Sequence, residues 1–370
     1  MPQSHPGDAT RTMSALRGPR FLETGEVAAL HALYESVYGT LWPERVCLSR
    51  YVGETAWPGG VAVMEADGLI VGAQPAYDVP VWVAGDHATA TVLVDVATHP
   101  AYRRRGIFSR LVDYAVVQAA RRGSALVLTT PNKVSYAGFR RKPDWRVLMR
   151  LHTWVELLRP EVVLRARAHC PEWLGTLFAA GLRLALHAPR AGARVAGPEP
   201  AREWPSETEF DDLWKRTAPA GGVAQRRDAT WIRHRFLDVG HGTSYDCLAM
   251  RQAGRLIGYM VTRTRQFRGI PALFLVDGLA DTAAPRVGLE LVESTRAWAR
   301  STGAALLVFC GSDRAAATPW VSGAGFRRVP GLLTGRPYRV CVCAPPGTQA
   351  SRVLLEPRAW GMTLADSDLV

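Results

Sequence analysis

The chain has 370 residues, 48% of them hydrophobic and 21% charged, with a formal net charge of +12. That is the balance of a globular protein with room for two ordinary domains. The basic excess suits nucleic acid, an anionic membrane or a phosphorylated cofactor. No nucleic-acid motif or aromatic-interleaved basic ladder appears, and no apolar run is long enough to span a bilayer. Neither nucleic-acid nor membrane binding is therefore expected.

Residues 1–20 are polar and proline-bearing, without the apolar core of a signal peptide. They predict a flexible tail on a cytoplasmic protein. The six cysteines, Cys47, Cys170, Cys247, Cys310, Cys341 and Cys343, form no CxxC pair. Neither a metal site nor a disulfide framework is expected from such spacing. Cys341 and Cys343 alternate along one face of a strand and suit core packing.

Thr24 to Tyr38 carries Val27, Leu30, Leu33, Tyr34 and Val37 at helical spacing. Gly39 to Tyr51 continues irregularly. Val61–Ala66 and Leu69–Gln74 flank Asp67-Gly68, and Val79–Ala84 and Ala88–Val96 flank Gly85-Asp86. Both read as hairpins, giving an antiparallel meander.

Thr91 to Val96 is apolar and β-branched and reads as a buried strand. His99-Pro100 stops it. Arg103-Arg104-Arg105-Gly106 predicts a tight basic turn. From Ile107 the period is helical through Leu111, Ala115 and Ala119, ending at Gly123. A strand feeding a glycine turn that opens a helix is suited to an anion. The first helical N–H groups lack internal partners, and the dipole adds about half a positive charge. Gly106 lets the anion approach the backbone, and the arginines add charge. The expected ligand is a phosphate or pyrophosphate. Asp95 lies on the strand as a candidate proton acceptor, with His99 and Glu65 as weaker ones; a strand-end aspartate that caps a turn is the structural alternative. Ala125–Thr130 reads as the next strand.

VDVATHPAYRRRGIFSRL resembles the coenzyme A signature of the GCN5-related N-acetyltransferases, Arg/Gln-x-x-Gly-x-Gly/Ala. Arg103 and Gly106 match it, and Phe108 stands where Gly or Ala is usual. The resemblance implies that Arg103, Arg104, Arg105, Gly106, Ile107 and Phe108 bind the pyrophosphate of acetyl-CoA or another acyl-CoA. It implies that Val96, Ala97 and Thr98 pair with the pantetheine arm. Thr130 to Trp145, TPNKVSYAGFRRKPDW, is similar to the family's Asn-x-x-Ala-x-x-x-Tyr segment. Asn132 would contact the cofactor. Phe139 replaces the tyrosine that protonates the leaving thiolate. Tyr136 is the candidate substitute, with core packing as its alternative role.

Leu157 to about Pro200 reads as a helical connector. Beyond it the first half repeats: Ala253-Gly254 matches Asp67-Gly68, Phe274-Leu275-Val276-Asp277 echoes Leu93-Val94-Asp95, and Gly303 falls where Gly123 does. On that alignment Ala283-Ala284-Pro285-Arg286 lies opposite Arg103–Gly106, so the second copy lacks the anion turn. The acidic end, Trp360 to Asp368, resembles the tail of tandem-domain bacterial members, with closure of the acceptor cleft as one role and an ordered terminal strand as the other.

The expectation is an α/β protein of tandem acetyltransferase-like domains, each a mixed, mostly antiparallel sheet flanked by helices. Residues 1–20 are the tail, 21–155 the domain with the acyl-CoA site, 156–200 the connector and 201–370 a degenerate copy. The favoured function is N-acyl transfer from coenzyme A to a small-molecule amine, with Tyr136 and Asp95 as candidate catalytic residues. An aminoacyl or acyl transferase with another carrier, and a non-catalytic acyl-CoA scaffold, are the alternatives.

Overall fold

A computed structural model describes residues 15–39, 44–52, 58–168, 199–238, 244–284, 286–331, 338–348 and 351–367. The first half begins with β1 (Arg17–Phe21), α1 (Val27–Tyr38) and a short α2 (Glu44–Cys47). An antiparallel meander follows: β2 (Gly59–Ala66), β3 (Leu69–Val83) and β4 (Asp86–Leu93). The turn between β2 and β3 places Asp67 and Gly68 at φ 54° and 74°, the left-handed pair that a tight hairpin demands.

The two strands expected at Leu69–Gln74 and Val79–Ala84 are one strand of 15 residues. Pro75 and Pro80 lie inside it. The Val94 N–H donates to the Pro75 carbonyl, but Pro75 has no N–H to return to Val94. The buried Gln74 amide donates to the Val94 carbonyl instead, at 2.8 Å. A proline is tolerated here because a neighbouring side chain supplies the missing bond.

The motif strand also ends earlier than expected, at Leu93 rather than Val96. Asp95 has φ 43°, and Val94–Val96 leave the ladder. The chain rejoins β3 as β5 (Ala97–Thr98), opposite Ala73 and Gly72. α3 (Ile107–Arg121) follows, burying Ile107, Leu111, Val112, Ala115, Val116 and Ala119. It lies close on β3: a Cβ at Gly72 would stand 2.3 Å from Ile107 Cγ2. β6 (Leu126–Thr129) runs parallel to β4 from Ala90↔Leu126 to Leu93↔Thr129. Beyond that pair the two strands part. α4 (Lys133–Phe139) then leads to β7 (Arg146–Leu157) and α5 (Pro160–Ala168). α5 lies within the expected connector, most of the rest of which, including Cys170, lies outside the described residues.

The second half repeats the plan. After β8 (Ala201–Arg202), α6 (Glu207–Thr217), β9 (Val223–Gln225) and α7 (Ala229–Ile232) come β10 (Asp246–Gln252), β11 (Arg255–Phe267) and β12 (Ile270–Ala280) as a second meander. α8 (Val287–Ser301), β13 (Leu306–Gly311) parallel to β12, α9 (Thr318–Gly323) and β14 (Arg327–Val329) complete the copy. This is the tandem, mostly antiparallel α/β arrangement expected from the sequence.

One sheet runs through both halves. β7 pairs with β15 (Tyr338–Cys343) over Arg146–Leu151 and with β13 over His152–Leu157. β15, last in sequence, sits between β6 and β7. Its Cys341 and Cys343 pack with Val112, Phe139 and Trp145, the one-sided burial that their spacing predicts. The terminal segment crosses between halves: Trp360 and Met362 join the first core, Leu364 and Ala365 the second. No helix among the described residues is long and apolar enough to cross a membrane.

Candidate active site

The parting of β4 and β6 defines the site. In an antiparallel ladder, alternate residues turn their backbone groups toward and away from the partner. His99 N–H donates to the Val71 carbonyl, so His99 and Ala97 face β3. Val96 and Thr98 therefore turn their N–H and C=O groups the other way, into the gap. The Val96 carbonyl already accepts from Tyr38 Oη at 2.7 Å. An extended amide-bearing arm laid in the gap would find the Val96 N–H and both groups of Thr98.

At the end of the gap stands the basic turn. A short 3-10 turn, Pro100–Tyr102, is capped by the His99 imidazole, which accepts the Ala101 N–H at 3.3 Å. Arg104 and Gly106 both take positive φ, 63° and 75°. No protein atom lies within 4 Å of where a Gly106 Cβ would be, so the space above this backbone is open. Among the described residues the N–H groups of Gly106, Ile107, Phe108 and Ser109 donate to no protein acceptor. Arg103 and Arg104 are exposed, and Arg105 lies over the Tyr102 ring at 5.4 Å. This is a concave array of donors under positive charge, which suits a phosphate.

Phe108 does not crowd the turn. Its ring stands edge-on to Phe139, with centroids 5.1 Å apart. It fills the space beside Gly138, where a Cβ would come within 2.5 Å of it. Phe139 is buried between Phe108 and Trp145, so the residue in the family's tyrosine position is core. Tyr136 is half-buried, and the Arg339 guanidinium lies 4.4 Å from its ring centre. Its hydroxyl has no hydrogen-bond partner among the described residues. Asn132 caps α4, its Oδ1 accepting the Val134 and Ser135 N–H groups at 2.9 Å each. Only its NH2 group remains for a ligand.

Asp95 sits at the bulge where the strands separate. Tyr51 Oη donates to its carboxylate at 2.5 Å, and Arg50 pairs with it at 3.3 Å. Burial pushes the Tyr51 hydroxyl well above the usual tyrosine range, and the Asp95 charge adds to that shift. Tyr51 therefore remains a protonated donor. Burial and Asp95 act on Tyr34 and Tyr38 in the same direction. Arg50, Tyr51, Tyr38 and Gln74 were not singled out from the sequence. The 34/38 spacing marks one helix face, but Arg50 and Tyr51 lie in an irregular run with no period to read.

The second copy keeps the parted strands and loses the anion turn. Arg286, opposite Gly106, has φ −84°; Pro285 lies outside the described residues. The Asp281 carboxylate accepts the Ala283 N–H at 3.0 Å and forms an ion pair with Arg216. It therefore caps its turn as the His99 imidazole caps that of the first copy. Asp277, the counterpart of Asp95, accepts from Arg227, from Tyr259 at 2.9 Å and from Thr363 at 2.9 Å.

A strand that parts from its parallel neighbour at a bulge, then a glycine turn at a helix N-terminus, makes a groove that ends in an anion-ready turn. Residues 19–148 match the family model described as an acetyltransferase (GNAT) domain, so the first half of the chain is similar to that family. Three solved structures share the fold across both halves. An Enterococcus faecalis V583 protein of unknown function, described as a probable N-acyltransferase, has TM-score 0.61 and 11% identity, covering 90% of this chain and 73% of its own. A GCN5-related N-acetyltransferase from Anabaena variabilis has TM-score 0.58 and 12% identity, covering 89% and 72%. Saccharomyces cerevisiae N-myristoyltransferase with bound myristoyl-CoA has TM-score 0.56 and 10% identity, covering 97% and 92%. No curated protein matches the chain in sequence. Among the described residues no group of three or more His, Cys, Asp or Glu is placed to hold a metal ion.

Proposed function

We propose that this protein transfers an acetyl or other acyl group from coenzyme A to an amine on a small molecule. The reading places the reaction in the first copy, residues 21–155, with 201–370 as a copy that lacks the cofactor turn. The observation that carries it is the open donor array at Gly106–Ser109 directly beyond the parted strands. The turn amides and Arg103, Arg104 and Arg105 would take the pyrophosphate, and the Val96–Thr98 edge would take the pantetheine arm. Asn132 would add its amide NH2. Acetyl-CoA as donor implies a cytoplasmic enzyme.

The chemistry needs a neutral amine beside the thioester. The amine nitrogen attacks the carbonyl carbon and the C–S bond breaks. The proton lost by the ammonium passes to Asp95, directly or through water, while Arg50 and Tyr51 hold that carboxylate in place. The thiolate takes a proton from Tyr136, whose hydroxyl is uncommitted, or from water.

Two measurements test this. Calorimetric titration should give one coenzyme A site per chain, since among the described residues one such turn is open; two equivalent sites would contradict the assignment. Tyr136→Phe should lower kcat with little change in cofactor affinity. An unchanged kcat would leave Tyr136 as a packing partner of Arg339 alone.

A further inference from the structure

The second copy has lost the phosphate turn but not the gap. β12 and β13 pair as far as Leu275↔Phe309 and then separate. A cavity of about 810 Å³ opens at that point, within the size range of small-molecule sites. The terminal segment narrows it without filling it: the Gly361 N–H donates to the Val223 carbonyl, and Met362 bonds to Ser312.

Three features of the lining select a ligand. Buried Trp214 and Leu279, with Ala224 and Ala315, form apolar walls. The edge of β12 supplies an unpaired peptide group. Asp281 N–H donates to the Ile257 carbonyl, so Asp281, Leu279 and Asp277 face β11 and Gly278 faces away. Gly278 is buried; on the side away from β11 the β13 ladder ends at Leu275, and among the described residues no bond outside the ladders reaches its N–H or C=O. Buried peptide groups are normally satisfied. Finally, Arg314 and Arg358 line the cavity, are exposed, and form no ion pair among the described residues. Glu356 also lines it, with one oxygen accepting the Arg358 backbone N–H at 3.2 Å. The deeper charges, Arg227 and Asp277, are paired with each other and present nothing further.

We propose that this cavity binds a small carboxylate bearing an amide, such as an N-acylated amino acid. Its amide pairs with the Gly278 peptide group, its side chain lies against Trp214 and Leu279, and its carboxylate meets Arg314 and Arg358.

The test is calorimetric titration of the full chain, saturated with coenzyme A, using N-acetylphenylalanine and its uncharged amide. N-acetylphenylalanine should bind with Kd below about 1 mM, and the uncharged amide at least about tenfold more weakly. Replacing both arginines (Arg314→Ala with Arg358→Ala) should weaken binding by about tenfold or more. Ala224→Trp, which fills the cavity, should abolish it while the coenzyme A titration stays unchanged. The assignment is overturned by an absence of binding, by equal affinity for the two probes, by competition from coenzyme A, or by indifference to the arginine pair. Should Ala224→Trp not fold, the arginine pair decides. A failed coenzyme A titration would count against the first site and not against this one.

Discussion

Gly106→Glu should leave a folded protein that has lost most of its affinity for acetyl-CoA. Two effects act together. Gly106 has φ 75°, a conformation that costs other residues roughly 1 kcal/mol or more. Its absent Cβ faces open space, so the strain is borne without a clash and the fold survives. The new side chain, however, projects a carboxylate into the position assigned to phosphate. Hydrogen bonds to charged groups contribute roughly 1.5–3 kcal/mol each. Displacing one or two would weaken binding by between about tenfold and about ten-thousandfold. Arg104→Ala should do less, because Arg104 is exposed and its charge is screened. Arg286→Ala, at the degraded turn, should change nothing. Dissociation constants for the three variants, with circular dichroism as the folding check, provide the comparison. A folded Gly106→Glu protein that binds acetyl-CoA like the parent would remove the phosphate-turn assignment, and the acyl-transfer reading of this site with it.

Arg227→Met should produce the largest loss of stability of any single substitution considered. Arg227 is 6% exposed and pairs with Asp277 at 3.0 Å and Asp366 at 2.7 Å, both of them buried. The two carboxylates hold its guanidinium charged against the desolvation that opposes it. Removing the cation leaves two buried carboxylates facing each other without compensation, a change that costs about 3–5 kcal/mol. Asp366 is also the terminal segment's anchor, since its carboxylate accepts the Thr363 N–H at 2.7 Å. The segment should therefore loosen as well. Urea unfolding should show a lower midpoint, and limited proteolysis should clip the chain after about residue 350. The triple variant Arg227→Met, Asp277→Asn, Asp366→Asn should regain part of the loss, because no net charge stays buried. A parent-like midpoint for Arg227→Met would mean that the segment is held by its apolar contacts alone.

Much of the first half was legible because its signals are local. The Asp67-Gly68 turn, the run from Ile107 to Gly123 and the alternation in Val340–Cys343 each announce their conformation within a few residues. Long-range pairing leaves no such trace. Nothing in Val340–Cys343 says that it joins β6 and β7, and nothing in Arg146–Leu157 says that one strand joins the two halves of the sheet. The merging of two expected strands into β3 was hidden by Pro75, whose missing bond is supplied by Gln74. The site was half readable for the same reason. Arg103–Phe108 carry a motif, whereas Arg50 and Tyr51 reach Asp95 only through the folded path of the chain.

The placement of β15 bears on how the chain is made. Thr129 pairs with Cys341, about 210 residues later. At roughly 5–20 residues per second, a ribosome needs on the order of 10–40 s to cover that distance. Throughout that interval β6 has emerged with one edge unpaired, and unpaired strand edges invite wrong partners. The first half thus cannot mature as it emerges. Its last sheet strand and the Trp360 and Met362 side chains of its core follow the whole second half in sequence, so the first sheet is completed only after the second half has been made.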